Sequence, residues 1–216
     1  MTAPTIAPPE AQPDSFAFTE ANAEKAKRVI AKYPPGRQQS AVIPLLDLAQ
    51  RQHDNWLPQA AVRHVAELLD MPYIRAWEVA TFYTMFNLSP VGRHLVQVCT
   101  TTPCWLRGSD AIVAACEKRL GIHLGQTSAD GAFTLKEVEC LGACVNAPML
   151  QIGDGYYEDL TPENVVELLD AVAAGKAPPA GSLAGRQTSC PAGGQTSLVA
   201  ADVNYGEPAK RGDAAE

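Results

Sequence analysis

The chain has 216 residues, 46% of them hydrophobic and 19% charged, enough for one or two domains with real cores. Its net charge of −7, without a basic face or stripe, argues against nucleic-acid binding. No stretch has the apolar length that crosses a bilayer, so direct membrane insertion is not expected. Met1 to Asp14 contains neither Lys nor Arg, which is unlike a secretory signal. A cytoplasmic location is expected, where the six cysteines stay reduced and serve more readily as metal ligands than as disulfides.

Residues 1–15 carry four prolines and little that could pack, and read as a flexible arm. Residues 16–90 read as a helical bundle. Thr19 can cap a first helix that runs to Tyr33 and stops at Pro34-Pro35. A second spans about Ser40 to Gln52, with Ile43, Leu45 and Leu46 as its apolar stripe. Pro58 opens a third, where Val62, Val65, Leu68 and Leu69 recur at helical spacing before Pro72. The aromatic-rich run from Pro72 to Phe86 is expected to start helical. Nothing in this region has a metal-ligand pattern, so packing and docking are its expected work.

Residues 91–175 change character. Leu95 to Val98 reads as a short strand ending at Cys99, and Ser109 as the cap of a helix closed by Gly121. That helix turns Ile112, Val113, Cys116 and Leu120 inward. Asp130-Gly131 leads into a strand over Phe133–Glu139. Met149 to Ile152, the turn Gly153-Asp154-Gly155 and Tyr156-Tyr157 form a hairpin. Thr161-Pro162 starts a last helix, with Val165, Leu168, Leu169 and Val172 on one face and Gly175 at its end. This is an α/β order of thioredoxin-like size. Residues 176–216 are rich in Pro, Gly and Ala and read as an extended tail, in which Leu198, Val199, Val203 and Tyr205 could anchor on a partner.

The chemistry lies in two cysteine pairs. Cys99 and Cys104 form C-x4-C, and Cys140 and Cys144 form C-x3-C, each where a strand gives way to a loop. Four thiolates at one end of a sheet suit an iron–sulfur cluster or a structural zinc. One pair per iron is a natural division for [2Fe–2S], and the long x4 and x3 loops fit that larger core better than one zinc ion. Small or hydroxylated residues at Thr100, Thr101, Thr102, Gly142 and Ala143 leave backbone N–H groups free to approach sulfur. On spacing alone three readings stay open: [2Fe–2S] first, zinc second, thiols without metal third. Cys116 reads as core and Cys190 as a free thiol. His53, His64, His94 and His123 read as structural or surface residues. No Gly-rich phosphate loop is present, so the chain is not expected to bind NADH or FMN itself.

Cys-Thr-Thr-Thr-Pro-Cys at 99–104 and Cys-Leu-Gly-Ala-Cys at 140–144 resemble the thioredoxin-like [2Fe–2S] ferredoxin family, in particular the 24-kDa or NuoE-type subunits of respiratory complex I (NADH:quinone oxidoreductase). Ser40-Ala-Val-Ile-Pro-Leu-Leu, Glu78-Val-Ala-Thr-Phe-Tyr-Thr-Met-Phe and Cys144-Val-Asn-Ala-Pro-Met agree with it. The resemblance covers about residues 16–175. It implies a helical bundle followed by a thioredoxin-like domain, with Cys99, Cys104, Cys140 and Cys144 ligating one [2Fe–2S] cluster. It implies a flavoprotein partner that holds FMN, binds NADH and carries a [4Fe–4S] cluster, besides other peripheral-arm iron–sulfur subunits. The chain would then be an oxidoreductase subunit without catalytic residues of its own, peripheral on the cytoplasmic side of the inner membrane. The cluster would exchange single electrons with the flavin and could hold one while the other departs. The equivalent subunit of a soluble NAD-linked formate dehydrogenase or hydrogenase is the alternative, and a zinc module held by the four cysteines a distant one.

Overall fold

A computed structural model describes residues 5–191 and residue 193, and divides the chain into two compact units between Arg93 and His94. Leu198, Val199, Val203 and Tyr205, expected as partner anchors, lie outside the described residues.

The first unit is helical: α1 (Glu20–Ile30), α2 (Val42–Gln52), α3 (Gln59–Leu68) and α4 (Tyr73–Phe82). Thr19 caps α1, its hydroxyl accepting the Asn22 N–H at 3.3 Å. Pro58 and Pro72 stand just outside α3 and α4 as their N-caps, with extended ψ that turns the chain into each helix. Leu45, Leu46, Ala49, Leu57, Ala61, Val62 and Val65 are fully buried at the centre of this unit. Leu68, read as part of the α3 stripe, is 44% exposed; Leu69 takes the inward position. The aromatic run stops being helical at Tyr83, and Gln50 fixes the segment beyond it. The Gln50 side chain donates to the Met85 carbonyl at 3.1 Å and accepts the Asn87 N–H at 2.7 Å. The stretch read as a flexible arm contains a 3-10 turn, Pro9–Ala11, and a buried Ala7 whose N–H donates to the Leu88 carbonyl at 2.9 Å. Its prolines leave few N–H groups to satisfy, so this short set of contacts suffices to lay it down.

The second unit holds β1 (His94–Cys99), α5 (Thr102–Leu106), α6 (Ser109–Leu120), β2 (Phe133–Val138), β3 (Met149–Ile152), β4 (Gly155–Glu158), α7 (Pro162–Ala173) and β5 (Gly181–Ser182). The sheet order is β2-β1-β3-β4-β5, with β1 parallel to β2 and antiparallel to β3. A parallel pair needs a crossover, and α6 provides it. Val96, Val98, Leu135 and Leu150 meet Ile112, Cys116, Val165, Leu168 and Leu169, so both long helices cover one face. Strand alternation then turns Cys99 to the opposite face from Val98.

Three local readings need correction. Ser109 does not cap α6. Gly108 does, at φ +92, a backbone that glycine adopts without a Cβ clash, and the Ser109 hydroxyl is buried without a hydrogen-bond partner. The C-x4-C loop winds into α5, because Pro103 in its first turn presets φ and gives up an N–H that would have no helical partner there. The tail does not leave the fold at 176. Gly181–Ser182 pairs parallel to β4, since the exposed edge of β4 offers unpaired backbone groups.

Candidate metal centre

The first cysteine pair is buried. Cys99 ends β1 and Cys104 sits on α5, each only 1% exposed, in an apolar cluster with Ala147 and Met149. Winding the loop into α5 turns Cys104 inward and leaves its neighbours Trp105 and Leu106 at 57% and 70% exposure. The second pair lies on the loop between β2 and β3. Cys140 is exposed, Cys144 half-buried in the 3-10 turn Cys144–Asn146, and their sulfurs stand 3.4 Å apart. Leu141 and Ala143, from that same loop, pack against the apolar cluster of the first pair. The two pairs therefore share one neighbourhood.

Their electrostatics differ. Burial, and then the adjacent Cys99 thiol, push the Cys104 thiol up to about 12, although the Met149 N–H donates to its sulfur. The Cys140 thiol is pulled below its ordinary value, first by the N–H of Gly142 and then by the Cys144 thiol. Cys144 is raised, because Cys140 takes the charge in that pair. Gly142 has φ +85, the left-handed backbone that glycine reaches most cheaply and from which this N–H reaches Cys140. The Thr101 hydroxyl stands 3.3 Å from the Cys99 sulfur, and Thr100 donates to Glu137 at 2.5 Å.

Among the described residues, no group of three or more His, Cys, Asp or Glu side chains is gathered closely enough to hold a metal ion. The four thiols stand as two neighbouring pairs, Cys99 with Cys104 and Cys140 with Cys144. Thiolates with N–H and O–H donors beside them suit iron–sulfur ligation. The four sequence-predicted residues are thus brought close together. The remaining ones go elsewhere. Cys116 is fully buried in the sheet unit's core, His53 and His64 lie edge-on to Trp56, Phe16 and Phe18, His94 lies against Phe133, and His123 stands 3.2 Å from Glu117. Sequence reasoning missed the polar groups behind the second pair: Asn146, Asp159 and Arg186. The available signal was an asparagine directly after Cys144-Val145, which the structure shows buried.

A model of the thioredoxin-like [2Fe–2S] ferredoxin family matches residues 26–173. The chain belongs to this family. Two curated relatives, each named as the E subunit of an NADH-quinone oxidoreductase, come from Rickettsia conorii (strain ATCC VR-613 / Malish 7) and Rickettsia bellii (strain RML369-C). They are 60% and 58% identical over 156 residues, which is 72% of this chain and 93% of each relative. Among solved structures, the NAD+-reducing [NiFe]-hydrogenase in the air-oxidized state superposes at TM-score 0.52 and 21% identity, over 61% of this chain and 23% of that one. At that identity the likeness is one of fold. Membership of the thioredoxin-like [2Fe–2S] ferredoxin family accounts for the mixed helix-and-sheet fold of the matched region.

Proposed function

We propose that this chain is the [2Fe–2S] electron-transfer subunit of an NADH:quinone oxidoreductase, with Cys99, Cys104, Cys140 and Cys144 as the cluster ligands. The observation that carries the reading is the juxtaposition of the two thiol pairs in a chain 60% identical to the Rickettsia conorii protein over nearly the whole of that relative. A bound cluster supplies one chemistry, the uptake and release of single electrons. The chain's own residues do the rest. Met149, Ala147, Leu141 and Ala143 exclude water from the Cys99–Cys104 side. The Gly142 N–H and the Thr101 hydroxyl offset negative charge at sulfur. Exposed Cys140 leaves one side open to an electron donor.

The donor in this reading is a flavoprotein subunit that holds FMN, binds NADH and carries a [4Fe–4S] cluster, with further peripheral-arm iron–sulfur subunits beyond it. Apolar side chains next to the ligands, Trp105, Leu106 and Val145, are exposed at 57%, 70% and 66% and suit a lasting interface. Phe82 and Met85 of the helical unit, exposed at 77% and 46%, suit the same use. No helix among the described residues is long and apolar enough to cross a membrane. In this reading the chain is held on the cytoplasmic side of the inner membrane through its partners.

Low-temperature EPR of the anaerobically purified chain tests the reading. The expected result is a silent oxidised sample that gains a rhombic S = 1/2 signal on dithionite reduction, with about two irons per chain. A colourless, redox-silent protein with stoichiometric zinc would overturn it.

A further inference from the structure

Residues 181–190 lie beyond the span matched by the family model, yet their polar groups converge on the loop of the second cysteine pair. Arg186 forms an ion pair with Asp159 at 2.9 Å, the two side chains 13% and 14% exposed. The same guanidinium donates to the Val145 carbonyl at 3.3 Å and to the Cys190 carbonyl at 2.8 Å. Asn146, only 4% exposed, donates to Glu158 at 2.6 Å and to the Thr188 carbonyl at 2.7 Å. Its backbone carbonyl accepts the Asp159 N–H at 2.8 Å. Ser182, in β5, donates to Asp159 at 2.6 Å and accepts the Arg186 N–H at 3.2 Å.

Val145 and Asn146 directly follow Cys144. A planar guanidinium with several donors can bind a carboxylate and two carbonyls at once, which a lysine ammonium on a flexible stem does poorly. The Gly- and Pro-rich chain after α7 would otherwise cost more backbone entropy to order than its small side chains recover. Its polar side chains instead tie it to the two residues that set the position of Cys144.

We propose that residues 181–190 are a strap, and that Arg186 is a positioning residue that holds the Cys144 turn and thereby sets cluster geometry and retention. The cluster half of this statement rests on the ligand assignment above. Arg186 acts through the Val145 carbonyl, Asp159 and Asn146.

The test compares the full chain with Arg186→Lys and with chains ended after Ala180 and after Gly193. In the metal-free state, hydrogen–deuterium exchange reads the Asn146 and Ala147 amides, which bond to the Ala143 and Cys144 carbonyls at 3.0 and 3.4 Å. The expected result is exchange about tenfold faster in R186K and in the chain ended at Ala180, with α6 and α7 unchanged. The chain ended at Gly193 keeps the strap and should match the full chain. After cluster loading, R186K should release iron to a chelator about tenfold faster and show shifted g-values. Unchanged exchange at Asn146 and Ala147 in R186K overturns the strap, as does faster exchange that spreads evenly through α6 and α7. R186K decides alone if the chain ended at Ala180 does not fold. An intact chain that takes up no [2Fe–2S] signal overturns the ligand assignment instead, and the exchange difference still decides the strap.

Discussion

Cys99 and Cys104 are held by burial, on a strand end and a short helix, whereas Cys140 and Cys144 ride on a loop fixed by hydrogen bonds. The buried pair faces apolar side chains, and water cannot stabilise charge there. A thiolate at Cys104 is costly unless, as in the proposed reading, a metal takes the proton's place. The exposed pair has N–H donors and solvent, so Cys140 ionises readily. One site thus joins a dry half and a wet half. In the proposed reading the wet half is where an electron donor approaches, and the dry half is where a lost ligand would leave a hole that nothing else fills.

The largest expected effect breaks this comparison most directly. Cys99→Ser and Cys104→Ser each put a hydroxyl into the apolar half and should reduce bound iron by about tenfold or more. Cys140→Ser leaves its oxygen in solvent, where a hydrated ligand costs less, and should keep a rhombic signal with altered g-values. Iron content and EPR spin counts on the three variants check this. Equal loss in all three would remove the distinction between the halves.

How much of this was legible in the sequence depends on how local each signal was. The caps at Thr19 and Thr161 were readable because one side chain meets one N–H three residues on. The cysteine pairs were readable because their spacing is local too. The parallel pairing of β1 with β2 was not, since Val96 meets Leu135 across a helix and a long loop. Ser109 misled because capping preference favours serine over glycine, while the backbone at 108 needed a positive φ. The strap was invisible for a different reason. Composition counts the entropy of a Gly/Pro segment but cannot see that Arg186 will find Asp159 and two carbonyls.

Cys116 supplies a control for what burial does to a thiol away from the cysteine pairs. It packs among α6 and sheet residues, and burial, helped by the Glu117 carboxylate, pushes it up to about 12 from an ordinary 9.0. Because the folded value is the higher one, its contribution is fully present below about pH 9 and is lost as pH rises toward 12. Between pH 9 and about 10.5 the parent should lose about 2 kcal/mol more stability than Cys116→Val, read by denaturant unfolding of the metal-free chains. Parallel pH profiles would mean that burial does not hold this thiol neutral, and would weaken the same explanation for Cys104.

The wet half depends on one backbone conformation. Gly142→Ala places a Cβ at φ +85, a strain of about 1 kcal/mol. Nothing lies within 4 Å of that Cβ, so the effect is one of backbone and not of space. Relaxation would swing the N–H away from Cys140. The expected result is slower alkylation of Cys140 near neutral pH in the metal-free chain, as its thiol returns toward the ordinary range. An unchanged alkylation profile would show that the Cys144 thiol, and not this N–H, sets the ionisation of Cys140.

The smallest effect asks whether a hydroxyl in reach of both halves tunes the site. The Thr101 hydroxyl stands 3.3 Å from the Cys99 sulfur and also hydrogen-bonds Cys140, and against a charged sulfur it donates. Reduction adds negative charge, so this donor stabilises the reduced state more than the oxidised one. Thr101→Val keeps the shape and removes the donor. A hydrogen bond worth about 0.5–1.5 kcal/mol, converted at about 59 mV per tenfold for one electron, gives a midpoint lower by at most about 20–60 mV. A redox titration followed by EPR reads it. A shift of that sign and size would mean that the Thr101 hydroxyl, in reach of both pairs, takes part in setting the potential. No shift would leave the tuning to the exposed loop, where the Gly142 N–H remains the stronger candidate.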